Sequence, residues 1–156
     1  MDAPPPFSDR ELAFIEALVD GNVRFLVVGL AAAALQGAPA VTQDGDLWFE
    51  SLADPRLAIA LRQIGASYLP ATDSTPPLLA GAGTDLFDIV VHTHGLGAFD
   101  QEARQALHVR VGRVDVPVLP LARIIASKKA TGRPKDLSIL PALEDTLRAR
   151  TEQDRG

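Results

Sequence analysis

The sequence predicts an α/β fold, a mixed β-sheet with helices packed on it. Three observations lead there. The short apolar runs "RFLVV" (24–28), "DLWFE" (46–50) and "DLFDIVVH" (85–92) read as buried strands. Around them stand stretches with apolar residues at helical spacing, bounded by caps. "LHVRVGRVDVPVL" reads as a hairpin turning at Gly112-Arg113. A strand–helix–strand opening followed by a hairpin points to a mixed sheet.

Taken in order, Ser8 and Glu11 form a capping box for the first helix, with Phe7 and Leu12 spaced as a hydrophobic staple. Leu12, Ile15, Leu18 and Val19 make its apolar face, and Gly21 stops it. The strand 24–28 breaks at Gly29, and "LAAAALQ" follows as a small-residue helix ending at Gly37. Leu47–Phe49 is the second strand. Asp54 with Pro55 caps "PRLAIALRQI", which Gly65 ends. The segment 72–84 reads as a loop of flap length. After the third strand and the hairpin, "LARIIASKKATG" is helical from Pro120. "RPKDLSILPALEDTLRAR" is helical with Pro141 expected to kink or divide it. The expected organisation is a single domain over 1–156, its core about 8–150 and a frayed tail at 151–156.

Composition narrows the function classes. Hydrophobic residues make up 47 % and charged ones 22 %, values of a globular chain rather than a disordered one. The net charge of −5 and the lack of a basic run disfavour a duplex nucleic-acid binder. Without cysteine there are no disulfides and no thiolate metal sites. The acidic, proline-rich "MDAPPPFSDRE" is unlike a signal peptide, and no apolar run reaches the ~18 residues of a membrane span. A cytoplasmic protein is expected.

"VTQDGDLWFE" (41–50) carries the chemistry. Asp44 and Asp46 lie two apart where a buried strand begins, so they point the same way. Like charges that close raise each other's pKa, and a divalent cation resolves the conflict. Mg²⁺ takes one or two protein carboxylates and completes its octahedron with phosphate oxygens and water. Two solvated turn residues beside Gly45 are the plainer alternative. Three features weigh against it. Gly29 joins a strand directly to a helix amino terminus, where backbone can approach an anion. Asp88 sits inside another apolar strand. "KATGRPKD" (129–136, from Lys129) gathers Lys129, Arg133 and Lys135 beside Asp136.

Together these features resemble the DNA polymerase β-like nucleotidyltransferase superfamily, most closely its minimal bacterial members from abortive-infection and toxin–antitoxin systems. The similarity runs from about residue 24 to 140. It rests on Gly29-Leu30, Gln36-Gly37, Thr42-Gln43-Asp44-Gly45-Asp46, Asp88 and the K-x-x-G-R-x-K-D of Lys129 to Asp136. The chain departs from the pattern at Leu30, where the family has Gly or Ser, at Ala40 for Arg, and at Gly45 for an apolar residue.

The resemblance implies a nucleotidyltransferase-like core and Mg²⁺-dependent transfer of a nucleoside monophosphate from a nucleoside triphosphate such as ATP to an acceptor hydroxyl. Asp44, Asp46 and Asp88 would be catalytic and hold the metal. Gly29, Leu30, Lys129, Arg133 and Lys135 would meet the nucleotide. The acceptor, a protein, an RNA end or a small molecule, stays open, and a homodimer or partner protein would complete its site. The departures leave an alternative, a degenerate non-catalytic member acting as antitoxin, scaffold or binding module.

A dinucleotide-binding unit is a further rival. Glu50 follows Gly29 by 21 residues, where a ribose-binding acid belongs, but the glycine pattern is only G-x-A-x-x-A. Asp88, His92 and His94 also form a D-x-x-x-H-x-H line, read as polar residues at a strand end.

Overall fold

The computed structural model describes residues 7–39, 45–81, 84, 87–90 and 93–155. Helix α1 (Asp9–Asp20) starts on a closed capping box. The Ser8 hydroxyl accepts the Glu11 N–H, and Glu11 Oε1 accepts the Ser8 N–H at 2.7 Å. Strand β1 (Phe25–Val28) is buried throughout and gives way at once to α2 (Gly29–Leu35). Strand β2 (Gly45–Phe49) follows. The Asp54 carboxylate then caps α3 (Pro55–Gln63) through the Arg56 N–H.

The segment 72–84, expected as a loop, contributes a strand. β3 (Ser67–Leu69) pairs antiparallel with β4 (Leu78–Ala80) as a separate two-stranded ribbon. Three residues per strand are too few for an alternating pattern to register. Next come β5 (Phe87–Val90), the short α4 (Phe99–Ala103), and β6 (Leu107–Val111) with β7 (Val114–Val118), which form the expected hairpin around Gly112. Helix α5 (Leu121–Thr131) and helix α6 (Pro134–Arg155) close the chain.

Pro141 does not divide α6. It and Leu137, one turn earlier, are exposed, so water can reach the carbonyl that the missing N–H leaves open. The helix also continues through 151–155, where the sequence suggested fraying. No helix among the described residues is long and apolar enough to cross a membrane.

The main sheet is mixed, with strand order β5-β2-β1-β7-β6. β1 runs antiparallel to β2 and parallel to β7, β2 runs parallel to β5, and β6 is antiparallel to β7. This rules out the dinucleotide-binding alternative, which needs β1 and β2 parallel. Glu50 instead pairs with Arg24 at 2.8 Å. α2 packs on β1, β2 and α5, and α5 packs on α6.

Gln36 ties these layers together. Its amide is buried, donating to Ala32 O at 3.0 Å and Leu119 O at 2.8 Å, while Oε1 accepts the first N–H of α5, from Leu121, at 2.9 Å. Pro120 offers α5 no side-chain cap, so Gln36 supplies the acceptor from a distant element. Gln36→Ala is expected to lower stability by about 2–4 kcal/mol, through buried backbone groups left unpaired and a cavity. Urea denaturation measures it, and a loss under about 1 kcal/mol would contradict this role.

Candidate active site

The acid pair comes from strand register. Asp46 of β2 stands opposite Val28 of β1 on one side and opposite Asp88 of β5 on the other. Residues in register share a face, and neighbouring strands lie about 4.8 Å apart, so the two carboxylates are cross-strand neighbours. Asp46 is half-buried and Asp88 is exposed. Among the described residues no arginine or lysine pairs with Asp88, the partner a plain strand-edge carboxylate would have. Gly29 lies against Asp46. Its φ is +66°, and a Cβ there would stand 2.7 Å from Asp46 Oδ2. The left-handed backbone conformation favours glycine, and any side chain there would displace the Asp46 carboxylate. The residue after it, Leu30, sits half-buried in the first turn of α2. Asp44, with Ala40 and Thr42, lies outside the described residues.

The cations come from the α5–α6 turn. Gly132, left-handed with φ +66°, ends α5 by donating its N–H to Lys128 O. Pro134 then starts α6, folding Asp136 back under α5. The Asp136 carboxylate is 1 % exposed and accepts from Lys128 Nζ at 3.1 Å and from Arg133 Nε at 2.7 Å. The Arg133 bond, with Lys128 adding to it, lowers its pKa from 3.8 to about 2 against the opposing effect of burial.

Acids and cations line two adjoining hollows. One, about 250 Å³, is bounded by Leu30, Asp46, Asp88, Lys128, Arg133 and Lys135. The other, about 190 Å³, shares Asp46, Lys128, Arg133 and Asp136 and reaches Gly29, Thr93 and His94. A larger hollow of about 430 Å³ opens at the far end of β1, around Arg24, Arg56, Phe99 and His108. It has no carboxylate pair, and Arg24 there is held by Glu50 and Asp100, so chemistry rather than size selects the cleft at Asp46.

Of the residues singled out by sequence, Gly29, Leu30, Asp46, Asp88, Arg133 and Lys135 meet in this cleft. Lys129 stands apart from its lining and pairs with Glu144 at 3.5 Å. Its neighbour Lys128 faces the cleft, and sequence reasoning missed it. A signal was present: Leu121, Ile124 and Ile125 precede 128 by seven, four and three residues, so it falls on their face of the helix. His92 lies outside the described residues, and His94 is exposed in the turn after β5.

The donor set suits Mg²⁺. Among the described residues no group of three or more His, Asp or Glu side chains gathers. Two carboxylates beside a cation-lined hollow match an ion that takes few protein ligands and fills the rest with phosphate and water.

Because the folded pKa of Asp136 lies below its ordinary value, its contribution is complete above about pH 4. It disappears as pH falls toward 2, roughly 2 kcal/mol in all. Denaturation across that range should show this loss in the parent and a correspondingly shallower slope in Asp136→Asn. Equal slopes would contradict it.

No protein-family model matches the chain, and no curated protein matches it. Solved structures do. A crystal structure of ANT(2")-Ia in complex with adenylyl-2"-tobramycin superposes with a TM-score of 0.60 at 15 % identity, covering 90 % of this chain and 88 % of that one. A solution structure of the same antibiotic-resistance factor gives 0.53 at 15 % identity, covering 94 % and 93 %. An antigenic nucleotidyltransferase-like protein from Paracoccidioides brasiliensis gives 0.54 at 18 % identity, covering 90 % and 78 %. The chain has the nucleotidyltransferase fold.

Proposed function

We propose that the protein is a Mg²⁺-dependent nucleotidyltransferase that moves a nucleoside monophosphate from a nucleoside triphosphate to an acceptor hydroxyl. The observation that carries this reading is the cross-strand pairing of Asp46 with Asp88, beside Gly29 and facing Lys128, Arg133 and Lys135. Asp46 and Asp88, joined by Asp44 from the sequence pattern, would hold the ion. Bound there, Mg²⁺ supplies charge stabilisation for the attacking and leaving oxygens.

The chain's own groups do the rest. Asp88, the exposed member, accepts the acceptor's hydroxyl proton as that oxygen bonds to the α-phosphorus. The bond from the α-phosphorus to its bridging oxygen breaks, and pyrophosphate leaves with the electron pair. Lys128, Arg133 and Lys135 offset the charge on the departing phosphates. Gly29, lacking a side chain, lets phosphate approach the backbone. The fold it shares with ANT(2")-Ia, whose structure holds an adenylylated tobramycin, supports a small-molecule hydroxyl over a protein or RNA end. On this reading residues 1–156 form one domain that works in the cytoplasm, and a second copy or a partner protein completes the acceptor site.

Leu30 favours a second reading. It lines the hollow at the phosphate position without offering a hydroxyl, as in a non-catalytic binding module, scaffold or antitoxin. Calorimetry with Mg²⁺ and each of ATP, GTP, CTP and UTP separates the two. The enzyme reading expects heat with at least one nucleotide and tighter binding by Leu30→Ser, about 5- to 10-fold for one regained charged hydrogen bond. It also expects turnover at least about a hundredfold lower in Asp46→Asn and Asp88→Asn, scored as pyrophosphate release. No heat with any of the four, together with a destabilised Leu30→Ser, would establish the second reading.

A further inference from the structure

One edge of the main sheet is open. On the β5 side the ribbon strand β4 packs against the sheet, but β6 comes last, and among the described residues only β7 pairs with it. The hairpin decides which of its backbone groups face outward. Val111 and Val114 flank the two-residue turn and exchange hydrogen bonds, and bonded pairs alternate along the ladder. His108 therefore takes a non-bonded position, opposite Pro117, which has no N–H to give. The N–H and C=O of His108 and Arg110 turn outward, and no backbone group of another described element bonds them.

Proteins blunt such edges with proline, lysine, a bulge or an inward-pointing charge. β6 has none of these. Its register with β7 is unbroken from Leu107 to Val111, and its arginine, Arg110, is paired with Asp115 at 3.5 Å. Leu107, Val109 and Val111 lie on the face of the buried β7 valines, which α1 covers. That row runs from Val111, 2 % exposed, to Leu107, 40 % exposed. The edge is also held firmly, because Arg113 in the turn pairs with Glu16 and Asp20 of α1.

The strand that fits this edge is β6 itself. Paired antiparallel about a two-fold axis at Val109, that residue faces its own copy, and the outlying Leu107 faces the partner's Val111. His108 then meets the partner's Arg110, so every outward N–H and C=O finds a mate, and each Arg110 brings Asp115 as its counter-ion. Sliding two residues either way loses bonds, and in one direction it sets Arg110 against its own copy. We propose that β6 is a self-association edge, which joins the five-stranded sheets of two copies into one. Asp46 and Asp88 lie toward the other edge, so the proposal does not rest on the nucleotide reading and stands apart from any contact that completes the acceptor site.

Sedimentation velocity of the full chain tests it, with cysteine variants to fix the register. The parent should be a dimer that dissociates on dilution. His108→Pro removes an outward N–H and leaves the β7 ladder whole, so it should weaken the dimer at least about tenfold for the two hydrogen bonds lost. The chain has no cysteine. In Val109→Cys the two thiols stand opposite each other in a non-bonded pair, with Cα atoms about 4.5 Å apart, so oxidation should give a reducible covalent dimer. Leu107→Cys is more exposed but lies away from its own copy and should stay largely unlinked, whereas random collision gives the reverse order. Thermal melts report whether each variant folds, and the parent's dimer is read without any of them. A parent that is monomeric at every concentration, a folded His108→Pro that dimerises like the parent, or Leu107→Cys linking faster than Val109→Cys overturns the proposal.

Discussion

The register of β2 is the constraint on which the site depends. Side chains on a strand alternate, so a slip by one residue would send Asp46 to the opposite face and bring Gly45 or Leu47 opposite Asp88. Aromatic packing on both faces resists that slip. Trp48, on the face of Asp46, meets the Phe99 ring edge-on at 5.5 Å, and Phe49 lies 6.3 Å from its cross-strand partner Phe25. Gly45 lies against the Phe87 ring, where a Cβ would stand 3.0 Å from it, and Phe87 in turn packs against Phe7 at a tilt and Phe14 edge-on. The energy that places the carboxylates comes from burying rings, not from the carboxylates.

The opposite wall is placed by a different kind of force. Lys128 and Arg133 are long, flexible cations that lose entropy when held still. The buried Asp136 holds both, and its early position in α6 is itself favoured by the helix dipole. A buried ion cluster contributes little net stability compared with apolar packing. Its value here is geometric, because it fixes two cations at the wall that both hollows share. Gln36 plays the matching part between α2 and α5, so the elements bearing Gly29 and Lys128 are joined by buried hydrogen bonds.

Much of this was legible in the sequence because it is local. The capping box at Ser8, the break at Gly29 and the hairpin at Gly112 each follow from a few adjacent residues. That Asp46 and Asp88 lie on strands was legible for the same reason, since apolar flanks identify an acid on a strand, while Asp44, the other half of the two-residue spacing, lies outside the described residues. The antiparallel pairing of β1 with β2 was not, because direction is decided by how the chain returns after α2. The three-residue strands β3 and β4 and the five-residue α4 carry too few positions for any period to show. Lys128 was passed over for Lys129 because the motif was read as a string and not as a helix face.

On the proposed function, Asp46 and Asp88 would together hold a metal ion in a nucleotide-binding cleft. The most direct test is a crystal grown with Mn²⁺ and a non-hydrolysable ATP analogue, with anomalous diffraction used to find the metal. The expected result is an anomalous peak within coordination distance of carboxylate oxygens of both Asp46 and Asp88, with the analogue bound in the same cleft. A bound analogue with the metal elsewhere, or with no metal between the two carboxylates, would contradict it.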